Sequence, residues 1–225
     1  MPAKEPKSTA KKKLKITVLS GAGISAESGI ATFRGNGGLW EGLDVRKVAS
    51  PEGWNEDYQM VLDFYNQRRR AIGKVEPNQA HIDLALLQEL HRVEIVTQNI
   101  DDLHEKGGSQ NVLHLHGEIT KGCSSNDKGS IVSIGYNDIL PGMLAKDGSQ
   151  LRPFIVWFGE QVPKMIEAIN RVEEADVILI IGTSMEVYPA AGLINYANSD
   201  ASIFVIDPSD LKHKIPSGLG VTQIK

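Results

Sequence analysis

The chain has a single cysteine, Cys123, in 225 residues. One thiol builds neither a disulfide framework nor a closed thiolate zinc site, and no C-x-x-C pair occurs anywhere. No apolar stretch of about 18 residues or more is present, so no transmembrane helix is expected and no membrane partner is indicated. The N-terminus, MPAKEPKSTAKKKLK, is basic but lacks the apolar core of a signal peptide, which leaves the cytoplasm as the default location. A strong charge of one sign is also missing. Lys and Arg number 24 against 28 Asp and Glu, a formal net charge of −4, so no global attraction to nucleic acid is implied. The lysine run within residues 1–13 reads as a solvated, disordered tail. The oligomeric state is open from sequence, with a monomer as the simplest assignment.

What is present is ordinary for a globular protein: 41% hydrophobic and 23% charged residues. A chain of this length can bury about 70% of its unfolded surface. Apolar β-prone runs at 14–19, 93–97, 109–115, 154–158, 177–181 and 203–206 alternate with helical patterns at 56–73, 79–91, 162–174 and 190–197. Residues 177–181 are wholly apolar, as in a parallel strand covered on both faces. Such alternation predicts an α/β fold, a Rossmann-like, doubly wound parallel sheet with helices on both faces. The stretches 36–78 and 120–150 interrupt it. The latter is rich in Gly, Ser and Asp around one strand-like run at 130–136.

The chain is organised around SGAGISAESGIATFR, residues 20–34. Gly21, Ala22 and Gly23 follow the first strand directly, in a G-x-G-x-x-A pattern. Glycine permits a sharp turn and close approach to a pyrophosphate, although a plain loop would look the same. Ser25 and then Phe33-Arg34 follow in a polar stretch that suggests a mobile loop over a cofactor. Gln98, Asn99 and Asp101 leave the second strand, where ligands of such sheets bind; a helix N-cap is the alternative. Gly182, Thr183 and Ser184 leave another strand and offer small residues and N–H groups to a phosphate, or form a tight turn.

These segments, with TQNIDDLHEKGG (97–108), HLHGEI (114–119), VWFGE (156–160) and GTSMEVYPAAG (182–192), lie in one order along the chain. Together they resemble the sirtuin family of NAD-dependent protein deacylases. The resemblance implies NAD as cofactor and acylated lysine side chains of proteins as substrates. It implies nicotinamide release and an O-acyl-ADP-ribose product, with His116 as the base that deprotonates a ribose hydroxyl. His114, two residues earlier, is expected to face away and take no part. Cofactor contacts are implied for Gly21, Ala22, Gly23, Ser25, Phe33, Arg34, Gln98, Asn99, Asp101, His116, Gly182, Thr183 and Ser184. Val156, Phe158, Gly159, Glu160 and Val187 correspond to segments that clamp a substrate peptide by strand pairing. A single catalytic unit over 14–225 is implied, with a core of 14–35, 79–119 and 151–225 and a small module of 36–78 and 120–150. ADP-ribose transfer to protein, or NAD binding without catalysis, are the alternative functions.

Tyr65 and Arg68 stand at i, i+3 of one helix and share a face. They resemble the pair found in sirtuins that remove acidic acyl groups, succinyl and malonyl. A guanidinium can take a carboxylate in a two-point fork. The alternative is a solvated basic face, since Arg69 and Arg70 follow directly. Most sirtuins carry two C-x-x-C zinc pairs within the segment matching 120–150; here only Cys123 remains and Asn126 stands at the next ligand position, so a zinc-free module is expected. Val205 appears at the place of an asparagine that touches the adenine-side ribose, which suggests weaker NAD affinity unless Asp207 compensates.

Overall fold

The computed structural model describes residues 13–32 and 44–225. Its centre is strand β1 (Lys15–Ser20), whose β-branched and apolar residues are buried on both faces. β1 pairs in parallel with β2 (Arg92–Thr97) on one side and β7 (Val177–Ile181) on the other. β3 (Val112–His114), β8 (Ser202–Ile206) and β9 (Val221–Ile224) complete a six-stranded parallel sheet, in the order β3-β2-β1-β7-β8-β9.

Side-chain alternation sends the two faces into different cores. Ile16, Val18, Val93 and Ile95 meet Leu84 of helix α4 (Gln79–Leu90). Leu19, Val96, Ile178 and Ile180 join Ala168 and Val172 of helix α6 (Met165–Glu173). α4 starts where Asn78 accepts a hydrogen bond from the Ala80 amide, a side-chain cap. No helix among the described residues is long and apolar enough to cross a membrane.

A second, antiparallel sheet has the order β5-β4-β6, from β4 (Gly117–Ser124), β5 (Ile131–Ser133) and β6 (Leu151–Ile155). Residues 151–155, expected in the core, thus pair in the small sheet. The β-prone run expected at 154–158 is shifted toward the N-terminus, to Leu151–Ile155. β4 was not anticipated, because GEITKGCS mixes two glycines with a lysine and an acid; it is made a strand by partners on both edges. β9 was missed as well, being four residues long at the end of the chain. The helical pattern at 190–197 is a 3-10 turn, Ala190–Tyr196.

Helices α1 (Val45–Val48), α2 (Pro51–Glu56) and α3 (Tyr58–Ile72) pack beside the small sheet. Asp57 caps α3 by accepting from the Met60 amide, 2.9 Å away. Tyr65 and Ile72 of α3 meet Ile119, Ile155, Trp157 and Ile100 in one apolar cluster that joins the two sheets. Ser124, fully buried at the end of β4, donates to Asp147 at 2.6 Å and lies 2.7 Å from Ser149 Oγ. The same hydroxyl accepts from the Asn126 and Asp127 amides, so one serine ties the two loops at this end of the small sheet. Cys123 is buried between neighbouring strands, and burial pushes its thiol pKa up. Among the described residues no group of three or more His, Cys, Asp or Glu could hold a metal ion.

Candidate active site

Four strands of the large sheet end at one edge, and the chain leaves them at Gly21, Gln98, Gly182 and Asp207. The sheet order reverses at β1, which is where ligands of doubly wound sheets bind. A cavity of about 740 Å3 opens there, between the strand ends and the small module.

The glycines are dictated by loop meeting loop. A Cβ on Gly23 would lie 2.7 Å from Gly182 Cα, and one on Gly182 would lie 2.2 Å from the Ile24 amide nitrogen. Gly182 also sits at φ +58°. The Gly23 amide donates to Gly182 O at 2.7 Å, and Gln98 Nε2 donates to Thr183 Oγ1 at 3.0 Å. Thus the turns after β1, β2 and β7 are bonded to one another. Gly21, Ala22, Gly23, Gln98, Gly182, Thr183 and Ser184 all line the cavity.

Ser25, Asn99 and Asp101 do not line it; they form a buried network beside it, around Ile100, which does. Asn99 Nδ2 donates to Ser25 Oγ and Ser25 Oγ to Asp101 Oδ2, each at 3.1 Å. Burial raises the Asp101 pKa. Asn99 Oδ1 is buried and makes no hydrogen bond among the described residues. Phe33 and Arg34 lie outside the described residues.

His116 lines the cavity with its Nδ1 3.1 Å from Gln98 O. A carbonyl only accepts, so Nδ1 carries the proton and Nε2 is the basic nitrogen. Burial lowers the His116 pKa, which keeps the ring neutral near pH 7. His114 is instead held between Asn99 O and Glu105 and does not line the cavity. The two histidines diverge because β3 ends at His114; continued strand alternation would have put i and i+2 on one face.

Tyr65 and Arg68 line the same cavity as His116, beside Phe64, Ile155 and Trp157. Tyr65 is buried, and burial raises its pKa to about 12. Arg68 lies over the Phe64 ring at 5.4 Å, and desolvation lowers its pKa. The basic run does not form one solvated face. Arg69 is fully buried, donating from Nε to Ile119 O at 2.7 Å and from Nη1 to Asn66 Oδ1 at 2.6 Å. Only Arg70 is exposed, paired with Asp138.

Val156, Phe158, Gly159, Glu160 and Val187 line the cavity too. The Glu160 carboxylate is engaged: Arg152 and the Trp157 amide donate to it at 2.9 Å, and Lys128 at 2.6 Å. Its role is therefore to shape the 157–160 turn. Val205, expected at the cofactor, is fully buried in the sheet core, whereas Asp207 lines the cavity at the end of β8. No motif in the chain points to the segment after Asp207. Leu211, His213 and Lys214 also line the cavity, and Lys214 Nζ donates to Ser184 O and Glu186 Oε1 at 2.8 Å.

These residues fit a dinucleotide: close-packed, glycine-lined turns at the strand ends, the Gln98 side chain beside them, and a carboxylate at Asp207. The model of the Sir2 family matches residues 21–189. A Helicobacter pylori (strain J99 / ATCC 700824) protein named NAD-dependent protein deacylase is 53% identical over 204 residues, covering 91% of this chain and 87% of its own. One from Bacteroides thetaiotaomicron, of the same name, is 49% identical over 205 residues, covering 86% and 85%. A solved Sir2 homolog–NAD complex superposes with a TM-score of 0.81 at 36% identity, covering 92% of this chain and 82% of that one.

Proposed function

The chain belongs to the Sir2 family and is an NAD-dependent protein deacylase, and we propose that it prefers lysines carrying a short acidic acyl group, succinyl or malonyl. One observation carries this reading: Tyr65 and Arg68 line the cavity that also holds His116, among apolar neighbours. Desolvation lowers the pKa of Arg68, so its guanidinium has lost much of its hydration there. A carboxylate at the end of an acyl chain restores that loss with charged hydrogen bonds, and Tyr65, kept protonated, adds a donor. An acetyl group offers neither partner.

Bound NAD supplies an electrophilic ribose carbon with nicotinamide as leaving group. The turns at Gly21–Gly23 and Gly182–Ser184 would receive its pyrophosphate, since their glycines let it approach the backbone closely. Gln98 would reach the ribose and carboxamide end, and Ser25, Asn99 and Asp101, bonded to one another beside the cavity, would brace the loop that carries it; Phe33 and Arg34 are assigned to the same end by sequence alone. His116 would accept a ribose hydroxyl proton at Nε2, with Gln98 O fixing the ring. Phe158, Gly159 and Val187 would receive the peptide as an added strand, while Glu160 holds their turn in place. A solved Sir2 relative, 27% identical with a TM-score of 0.77, carries a deacetylated p53 peptide and 3'-O-acetyl ADP ribose.

Nicotinamide release from NAD with succinyl-, malonyl- and acetyl-lysine peptides of one sequence tests the preference. A higher kcat/KM for the acidic acyl groups is expected. A preference for acetyl overturns it, and label transferred from NAD to protein would mark an ADP-ribosyltransferase instead.

A further inference from the structure

Tyr65 has a second feature that its position on α3 does not explain. Its hydroxyl oxygen accepts a hydrogen bond from Trp157 Nε1 at 3.1 Å, across 92 residues of chain. Both side chains are almost wholly buried, and both line the cavity. An indole N–H only donates, so it occupies a lone pair of the phenol oxygen and leaves the phenol's own proton for another acceptor. A lone buried tyrosine could instead turn its proton toward any nearby carbonyl.

Trp157 is itself held on several sides. The Arg152 guanidinium lies 3.3 Å from the centre of the indole ring. Arg152 is 4% exposed, donates to Ile155 O at 2.8 Å, and is paired with Glu160 at 2.9 Å. Glu160 in turn accepts from the Trp157 backbone amide. Trp54 packs against the indole with ring centres 5.7 Å apart. A chain of contacts thus runs from Glu160 through Arg152 and Trp157 to the Tyr65 hydroxyl.

We infer that Trp157 is a positioning residue for acyl selectivity: by donating to Tyr65 it points the phenol proton at the substrate's acyl carboxylate. This rests on the acidic-acyl reading above. Burial keeps Tyr65 protonated at any working pH, as a donor requires.

The test measures kcat/KM for succinyl- and acetyl-lysine peptides with the wild type, Tyr65→Phe, Trp157→Phe and the double variant. Phenylalanine keeps an aromatic face under Arg152 and removes only the indole N–H edge. Trp157→Phe is expected to lower the succinyl-to-acetyl ratio roughly three- to tenfold, the range of one neutral hydrogen bond. In the Tyr65→Phe background it should lower the ratio no further, because the hydroxyl it orients is gone. A ratio unchanged by Trp157→Phe, or effects that simply multiply in the double variant, overturns the inference. Should Trp157→Phe fold poorly, the indole N–H resonance of Trp157 gives a second reading in the other two proteins. It should be protected from exchange in the wild type and shift on Tyr65→Phe; an unmoved, unprotected resonance overturns the inference. A wild type that prefers acetyl refutes the acidic-acyl reading itself, and this inference with it. A succinyl-preferring wild type with an insensitive Trp157→Phe refutes the positioning role alone.

Discussion

Replacing Arg68 by methionine removes the guanidinium and keeps an unbranched apolar stem of similar length. In the wild type the guanidinium carbon lies 5.4 Å from the centre of the Phe64 ring, so the variant also gives up that cation–π contact, a loss that bears on both activities alike. What is lost to the acidic substrate alone is a charged hydrogen bond to the acyl carboxylate, worth about 1.5–3 kcal/mol. At about 1.4 kcal/mol per decade, kcat/KM for a succinyl-lysine peptide should fall roughly ten- to a hundredfold. Deacetylation should fall far less, since no carboxylate is present to lose its partner. Initial rates of nicotinamide release at peptide concentrations well below KM give both numbers directly. Arg70→Met is the matched control, because Arg70 is exposed and paired with Asp138 on the surface. Equal loss of both activities in Arg68→Met would show that the arginine supports the fold and not the acyl group, and the assignment of substrate would fall with it.

His116→Ala should abolish nicotinamide-coupled deacylation while NAD binding, followed by calorimetry, is retained; turnover near the wild-type rate would remove His116 from the chemistry. Because burial lowers the His116 pKa and the neutral ring is the active base, the acid limb of the kcat/KM profile should lie below pH 6.5, with activity lost only as the pH falls through it. A limb above pH 6.5 would contradict that environment. Arg69→Ala removes the side-chain donor to the buried Ile119 O, at about 1–3 kcal/mol, and one of two donors to Asn66 Oδ1, which keeps the Ile139 amide. The melting temperature should drop by roughly 2–12 °C, and an unchanged value would mean the arginine is not a structural tie. A chelator is expected to leave the melting temperature unchanged and elemental analysis to find no stoichiometric zinc. Ser124→Ala should destabilise instead, because that hydroxyl ties the two loops at the end of β4.

Residues whose role depends on their place after a strand were legible in the chain itself. Gly21, Gly23, Gln98, Gly182 and Thr183 follow apolar β-prone runs, and parallel strands deliver their ends to one edge of the sheet. The helix carrying Tyr65 and Arg68 was equally plain from its apolar period and its stop at Gly73. Local propensity and spacing suffice for such features because they act over a few residues. Segments stabilised by distant partners were not legible. β4 is a strand because β5 and β6 flank it, and β6 belongs to the small sheet because its amides and carbonyls meet β4. Three consecutive arginines look alike in sequence, yet packing against β4 buries Arg69, the cavity takes Arg68 and solvent takes Arg70. Likewise Val205 and Asp207 are two residues apart, and only the end of β8 decides that the first enters the core and the second the cavity. The Trp157–Tyr65 hydrogen bond joins residues 92 apart. No local pattern encodes such a contact, because its geometry is set by the docking of α3 on the segment after β6 rather than by either stretch alone.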